Sequence, residues 1–311
     1  MINASMQLKG FHHLTAITAD APGNHKFYTQ SLGLRLVKKT VNQDDPSAYH
    51  LFYADGAGSP GTDITFFDWP AARERRGTNS ICRTGFRIGE KSMDYWSQRL
   101  VTLGIRHEKM QERCGRPTID FEDAEGQRLA FVADESAGEF HPWNESQVAA
   151  VHQIRGLGPI TLSLPELTAT KAILTGVMGM MSDRRYGDTH VFKMAGRGAV
   201  AELHITVEPN LPRAVQGAGG VHHVAFNIPS ADYHAWAQRL KDMRIPNSGP
   251  VDRFWFQSLY FREPNGILFE IATDGPGFAT DEPLENLGET LSLPPFLETR
   301  RAEIEARLKP L

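Results

Sequence analysis

Cysteine is nearly absent from this chain. Two occur in 311 residues, Cys82 and Cys114, and their separation fits no zinc or redox motif. A reducing, cytoplasmic setting is expected, with both thiols buried as small apolar groups. Long apolar runs are missing too. The longest, around Ile173 to Met181, is too short to cross a bilayer. The opening Met-Ile-Asn-Ala-Ser-Met-Gln-Leu-Lys-Gly lacks the apolar core of a signal peptide. Neither sign of charge prevails: 33 Lys and Arg stand against 37 Asp and Glu, a net charge of −4. That leaves no electrostatic footprint for nucleic acid or an anionic membrane. No Walker loop, nucleophile elbow, HExxH or CxxC occurs. Gly56-Ala-Gly-Ser-Pro-Gly61 has the letters of a dinucleotide fingerprint. Pro60 and the run Thr62–Phe67 call for a strand, where the fingerprint needs a helix. Arg73-Glu-Arg-Arg76 reads as a short solvated loop.

What is present is repetition. Gly10-Phe-His-His-Leu-Thr-Ala-Ile-Thr18 matches Gly220-Val-His-His-Val-Ala-Phe-Asn-Ile228. Each reads as a strand followed by turn chemistry suited to cap a helix, Asp20-Ala-Pro-Gly and Pro229-Ser-Ala-Asp. Trp96-Ser-Gln-Arg-Leu100 matches Trp236-Ala-Gln-Arg-Leu240, and Phe27–Leu34 corresponds to Ile173–Met180. Four units emerge, near 10–70, 80–135, 155–210 and 218–274. Each reads strand, helix, then two or three strands. Later strands are expected at Tyr49–Ala54, Asp63–Trp69, Arg128–Val132, Val200–Val207, Trp255–Arg262 and Ile267–Thr273, with a turn at Glu263-Pro-Asn-Gly266. One such unit leaves a sheet face bare, so units should pair into curved sheets that enclose a cavity. The fold expected is α+β: four βαβββ modules forming two domains of paired curved mixed sheets. The amino-terminal domain is expected over 8–140 (modules one and two) and the carboxy-terminal one over 152–280 (modules three and four), with a linker near 136–155. A tail over 281–311 follows, with a charged helix at Leu297–Leu308 that packs on a domain or on a subunit neighbour; a homo-oligomer is expected.

The two His-His pairs, His12-His13 and His222-His223, hold the same place in two repeats. Along a strand, neighbours face opposite sides, so one histidine of each pair should enter the cavity unless a bulge re-aims its partner. The alternative is an inherited pair filling polar gaps. Glu270 bears on that choice: it lies inside the apolar run Gly266-Ile-Leu-Phe-Glu-Ile-Ala272, and glutamate is seldom buried unless paired or metal-bound. Two neutral imidazoles and one carboxylate form the set that binds non-haem Fe(II) with open positions. A three-residue loop at Pro264–Gly266 would put Tyr260 opposite Glu270. Beside a cation such as Arg253, its phenol could orient a substrate hydroxyl or pass a proton. Phe254, Trp255 and Phe192 are candidate lining residues.

The four-unit layout, with Phe11-His-His-Leu-Thr15, Val221-His-His-Val224 and Gly266–Phe278, resembles the vicinal-oxygen-chelate (glyoxalase/bleomycin resistance/extradiol dioxygenase) superfamily. More narrowly it resembles the hydroquinone ring-cleaving dioxygenase branch, the MhqO-like proteins and dichlorohydroquinone dioxygenases. The resemblance spans roughly residues 8–280. It implies metal ligands His13, His223 and Glu270, and supporting or substrate-contacting roles for His12, Thr15, His222, Arg253 and Tyr260. It implies an active cavity from modules one and four, with modules two and three as a metal-free counterpart; Gly158-Pro-Ile-Thr-Leu-Ser-Leu164 has no histidine at the ligand place. Function follows as expectation: a ring-cleaving dioxygenase using Fe(II), with Mn(II) also open, and taking a small aromatic substrate with O2. Two other classes stay in view. A glyoxalase-type lyase or isomerase generally uses four protein ligands with Zn or Ni, and a metal-free binding protein for aromatic compounds would lack the triad.

Overall fold

The computed structural model describes residues 6–136 and 140–311. Residues 1–5 and, within the expected linker, 137–139 lie outside the described residues. Among the described residues, sixteen strands fall into four modules. The first holds β1 (Phe11–Thr18), β2 (Arg35–Val41), β3 (Tyr49–Ala54) and β4 (Asp63–Asp68); the second β5 (Ser80–Ile88), β6 (Gln111–Arg113), β7 (Arg116–Glu122) and β8 (Arg128–Ala133). The third holds β9 (Leu157–Leu164), β10 (Met181–Tyr186), β11 (Thr189–Lys193) and β12 (Glu202–Val207); the fourth β13 (Val221–Ile228), β14 (Val251–Asp252), β15 (Phe256–Arg262) and β16 (Leu268–Pro276). Val200 and Ala201, expected in β12, lie in a 3-10 turn instead.

The strands form two eight-stranded mixed sheets, β14-β15-β16-β13-β1-β4-β3-β2 and β10-β11-β12-β9-β5-β8-β7-β6. The first sheet joins modules one and four, the ends of the chain, and the second joins modules two and three. A main core runs through both, from Phe11, Leu14 and Phe226 to Phe86, Leu157 and Ile160. Among the described residues, no helix is long and apolar enough to cross a membrane.

The helices link the modules in the other sense. α1 (Ala21–Lys26) is capped by the Asp20 carboxylate, which accepts from Gly23 N at 3.1 Å. It runs into a wide π-turn closed by Leu32 N donating to Phe27 O. α3 (Thr168–Ala172) ends in the same way, Met178 N donating to Ile173 O. These are the two segments whose sequences correspond. α2 (Met93–Thr102) and α4 (Tyr233–Asp242) carry the Trp-x-x-Arg-Leu pattern. Trp96, Leu100, Trp236 and Leu240 are buried. Arg99 donates to Ser31 O and Gln30 O, and Arg239 to Val177 O and Gly176 O. Each arginine thus satisfies the carbonyls at the end of the π-turn in the preceding module. The Pro229-Ser-Ala-Asp turn, expected to suit a cap, makes no side-chain cap; a 3-10 turn over 230–232 leads into α4 instead.

Other expectations need correction. The tail forms two short helices, α5 (Pro295–Glu298) and α6 (Arg301–Glu305), rather than one. Leu297 and Ile304 pack on Val41 of the same chain, and the fully buried Lys38 of β2 pairs with Asp281 and Glu282. Cys82 is buried, but Cys114 is only half-buried, in a turn at φ 55°, where its sulfur accepts from Arg184 Nε at 3.0 Å. The Arg73–Arg76 loop is backbone-bridged to residues 215 and 218. The Gly56–Gly61 segment leads into β4, as its proline requires.

Candidate metal centre

β1 and β13 run antiparallel at the middle of the first sheet, with Leu14 opposite Val224 and Thr15 opposite His223. The register slips on both sides of this centre, between Phe11 and Leu14 and between Thr15 and Ala16. Each slip falls on a His-His pair. The simple alternation expected of a strand is therefore broken by a bulge at each pair, and the two rings of a pair turn toward each other. His12 Nδ1 lies 2.9 Å from His13 Nδ1, and His222 Nδ1 lies 2.8 Å from His223 Nδ1.

The remaining nitrogens of His13 and His223 converge. Their Nε2 atoms are 3.4 Å apart, and Glu270 Oε2 lies 3.2 Å from the first and 2.9 Å from the second. Glu270 comes from β16, which runs parallel to β13 with Ala225 beside it. All three side chains are buried, Glu270 completely. Ser258 Oγ donates to Glu270 Oε1 at 2.5 Å, whereas Oε2 has no directed hydrogen bond. Such an orphaned buried oxygen is costly. Donor atoms at ~2.1 Å from one ion, roughly 90–110° apart, stand about 3.0–3.4 Å from each other. The three observed separations suit a single cation.

Electrostatics agree. Burial alone would push the Glu270 carboxyl up, but the imidazoles of His13 and His223 outweigh it and hold it well below the usual carboxylate range. Burial, then the neighbouring histidine of the pair, takes His12 and His222 down to about 3. Both are neutral at ordinary pH, as a ring backing a metal-binding imidazole must be.

The same pairings recur in the two modules of this sheet. Thr15 stands beside Thr65 as Ala225 stands beside Glu270, and Phe52 faces Thr65 as Tyr260 faces Glu270. Thr65 therefore holds the place in module one that Glu270 holds in module four. It is too short and uncharged to complete a four-ligand set. Its hydroxyl is instead tied to Thr15 Oγ1 at 2.8 Å and to His50 Nε2 at 2.9 Å.

A cavity of about 430 Å³ opens beside the cluster. His13, His222, His223, Arg253, Tyr260 and Trp255 line it; His12 and Thr15 are buried behind its wall. His12 packs on Phe256. Tyr260 faces Glu270 directly across the β15–β16 hairpin. Arg253 Nε donates to Tyr260 Oη at 3.2 Å and its Nη2 to Asp44 at 2.9 Å. Burial and then Glu270 raise the Tyr260 phenol above its ordinary range, against Arg253. Of the lining candidates, Phe254 stays off the cavity wall and Phe192 belongs to β11 of the other sheet. Sequence reasoning missed Ser258, His50, Thr65 and Asp44. Ser258 was findable, two residues before Tyr260 and so on the same strand face.

A model of the "Glyoxalase/Bleomycin resistance protein/Dioxygenase superfamily" matches residues 10–131 and 156–271. The chain belongs to this superfamily. It is 45% identical over 315 aligned positions, covering 98% of the chain and all of the relative, to MhqA of Bacillus subtilis (strain 168), provisionally named a ring-cleaving dioxygenase. It is 28% identical, over 98% of the chain and 97% of the relative, to the chlorohydroquinone/hydroquinone 1,2-dioxygenase of Sphingobium indicum. A crystal structure from Bacillus subtilis, of a protein provisionally called a dioxygenase, aligns with a TM-score of 0.92 at 36% identity, covering 98% of this chain and 97% of that one. The two curved sheets expected from the repeats, and the vicinal-oxygen-chelate fold that the resemblance implied, are what is observed.

Proposed function

We propose that this protein is an Fe(II)-dependent, extradiol-type ring-cleaving dioxygenase that acts on hydroquinone-type aromatic compounds with O2. The observation that carries the reading is the convergence of three donor atoms, His13 Nε2, His223 Nε2 and Glu270 Oε2, with Thr65 where a fourth ligand would stand. These donors suit Fe(II), and Mn(II) as well. Bound there, the metal would supply a Lewis-acidic face with open positions for a phenolate and O2.

The chain's own groups do the rest. Phe52, Phe67, Trp255 and Phe256 give the cavity aromatic walls that accept a ring and exclude water. Arg253 donates into Tyr260 Oη, which leaves the phenolic hydrogen to be donated to a substrate oxygen. The raised Tyr260 pKa keeps that hydrogen in place. His222, neutral and accepting at Nδ1 from a His223 whose Nε2 faces the cluster, carries its hydrogen on Nε2 and can donate it as a hydrogen bond to an oxygen atom in the cavity. Holding ring and oxygen together at one centre makes their reaction effectively intramolecular.

The test is anaerobic loading with Fe(II), then O2 uptake against a panel of hydroquinones and catechols. Stoichiometric uptake with ring opening is expected. Conversion of a thiol hemiacetal, with no O2 uptake on any ring, would give the site to glyoxalase-type chemistry.

A further inference from the structure

His50 has no part in the chemistry above, yet its surroundings are those of a binding group. It lies on β3 and lines the cavity. Its ring sits between Phe52 and Phe67, with centroids 4.0 and 4.4 Å away. Nε2 is tied to Thr65 Oγ1, which is tied in turn to Thr15 Oγ1. Two aromatic contacts and an anchored nitrogen fix the ring. The other nitrogen, Nδ1, has no hydrogen-bond partner among the described residues.

The symmetry of the sheet sharpens this. His50 faces Phe67 on β4 as Ser258 faces Ala272 on β16. Ser258 bonds Glu270, and His50 bonds Thr65, the residue in Glu270's place. Ser258 exhausts its hydroxyl on the carboxylate; His50 has a second polar atom left over. The order β1-β4-β3 puts its backbone two strands, about 10 Å, across the sheet from β1, and it stands level with Phe67 of β4, four residues along from the Asp63 level of His13. Three other polar side chains along the wall are already engaged. Asn42 accepts from Asp44 N, Gln43 donates to Arg253 O, and Arg253 holds Tyr260 and Asp44.

Either tautomer leaves Nδ1 one hydrogen bond short. If Nε2–H donates to Thr65, Nδ1 accepts; if Thr65 donates to Nε2, Nδ1–H donates. A hydroxyl, which does both, satisfies either case. Burial, then His13 and His223, keeps the imidazole neutral, and a cation held by those histidines would push the same way.

We propose that His50 is a substrate-binding residue whose Nδ1 takes the second hydroxyl of a 1,4-dihydroxybenzene, the first hydroxyl lying at the His13–His223–Glu270 cluster. The proposal rests on the function proposed above and adds the group that holds the far oxygen of such a ring.

The test is anaerobic calorimetry on the Fe(II)-loaded protein with hydroquinone and with 4-methylphenol, which keeps the shape but replaces one hydroxyl by methyl. In the unaltered protein hydroquinone should bind about tenfold more tightly, the worth of one hydrogen bond. His50→Phe should erase that preference without weakening 4-methylphenol. His50→Gln, which keeps a polar end, should retain part of it and covers the case in which the first variant does not fold. A preference unchanged in His50→Phe, or absent from the unaltered protein, overturns the proposal. If no diol supports O2 uptake, the proposed function fails on its own, while the calorimetric preference still reads His50 separately.

Discussion

The two sheets follow one backbone plan and differ in what fills it. In the second sheet β5 and β9 pair with slips at the corresponding places, between Ile81 and Arg83 and between Thr84 and Phe86. Matching the registers of both sheets puts Pro159 where His13 stands, Arg83 where His223 stands and Ala130 where Glu270 stands. All three border a concavity of about 10 Å³, against 430 Å³ in the first sheet. Charged side chains fill the difference. Glu202 accepts from Arg116 at 2.8 and 2.9 Å and from Arg184 at 2.8 Å, while Asp120 is held by Arg113. His204, in the place of Thr65, lies against Glu202 and the Tyr186 hydroxyl. A bulged central pair gathers polar groups in both sheets. In the first they are acceptors facing one another, which call for a cation from outside. In the second each acid already has its cation.

The sharpest break of this comparison is Glu270→Gln. It should weaken Fe(II) binding by more than the roughly 10–100-fold that loss of an outer hydrogen-bond partner costs, measured by equilibrium dialysis; Fe(II) affinity at the unaltered level would refute the cluster as a metal site. Glu202→Gln should do the reverse, leaving Fe(II) binding intact and lowering unfolding stability by about 2–3 kcal/mol. That is below the ~3–5 kcal/mol of a fully buried pair, because Arg116 and Arg184 reach solvent. Denaturant titration reads it.

A third measurement concerns pH. Burial, reinforced by Glu125, pushes the Asp123 carboxyl up to about 6 from 3.8, where it accepts from Tyr28 Oη across modules one and two. A raised acid favours its protonated form in the fold. Its contribution is therefore complete below the ordinary value and lost as pH rises through about 6, at most about 3 kcal/mol. Asp123→Asn should flatten that slope in thermal melts between pH 4 and 7; an unchanged slope would place its origin elsewhere. The smallest effect is expected of Ser258→Ala, which frees Glu270 Oε1 and should cost roughly tenfold in Fe(II) affinity. A variant that binds as tightly as the parent would show that Oε1 needs no donor.

Much of the first sheet was legible in the sequence because its signals are local. Paired histidines at matching places, a glutamate in an apolar strand and a three-residue hairpin loop each declare themselves within ten residues. The Tyr260–Glu270 pairing follows from loop length alone. The bulges were not legible, since a slip depends on the partner strand. Without them alternation sends half of each His-His pair the wrong way. Thr65 and His50 were hidden for another reason: a threonine and a histidine on buried strands are ordinary until the partner module shows what stands in their places. The tail misled because its charge pattern suits one helix and Leu297 and Ile304, seven residues apart, would share one face of it; no glycine or proline marks the break at Thr299 and Arg300.

One feature of the topology bears on how the protein is made. β1 pairs with β4 inside module one, but its other neighbour, β13, comes about 200 residues later. At roughly 5–20 residues per second, the ribosome needs on the order of 10–40 s to synthesise the ~200 residues between them. During that interval module one can fold locally, but the β1 edge and His13 stay uncovered. β5 and β9, much closer in sequence, can pair while synthesis continues. The ion-paired sheet is therefore available as a finished template before His13, His223 and Glu270 can meet, which happens only once β16 has been made.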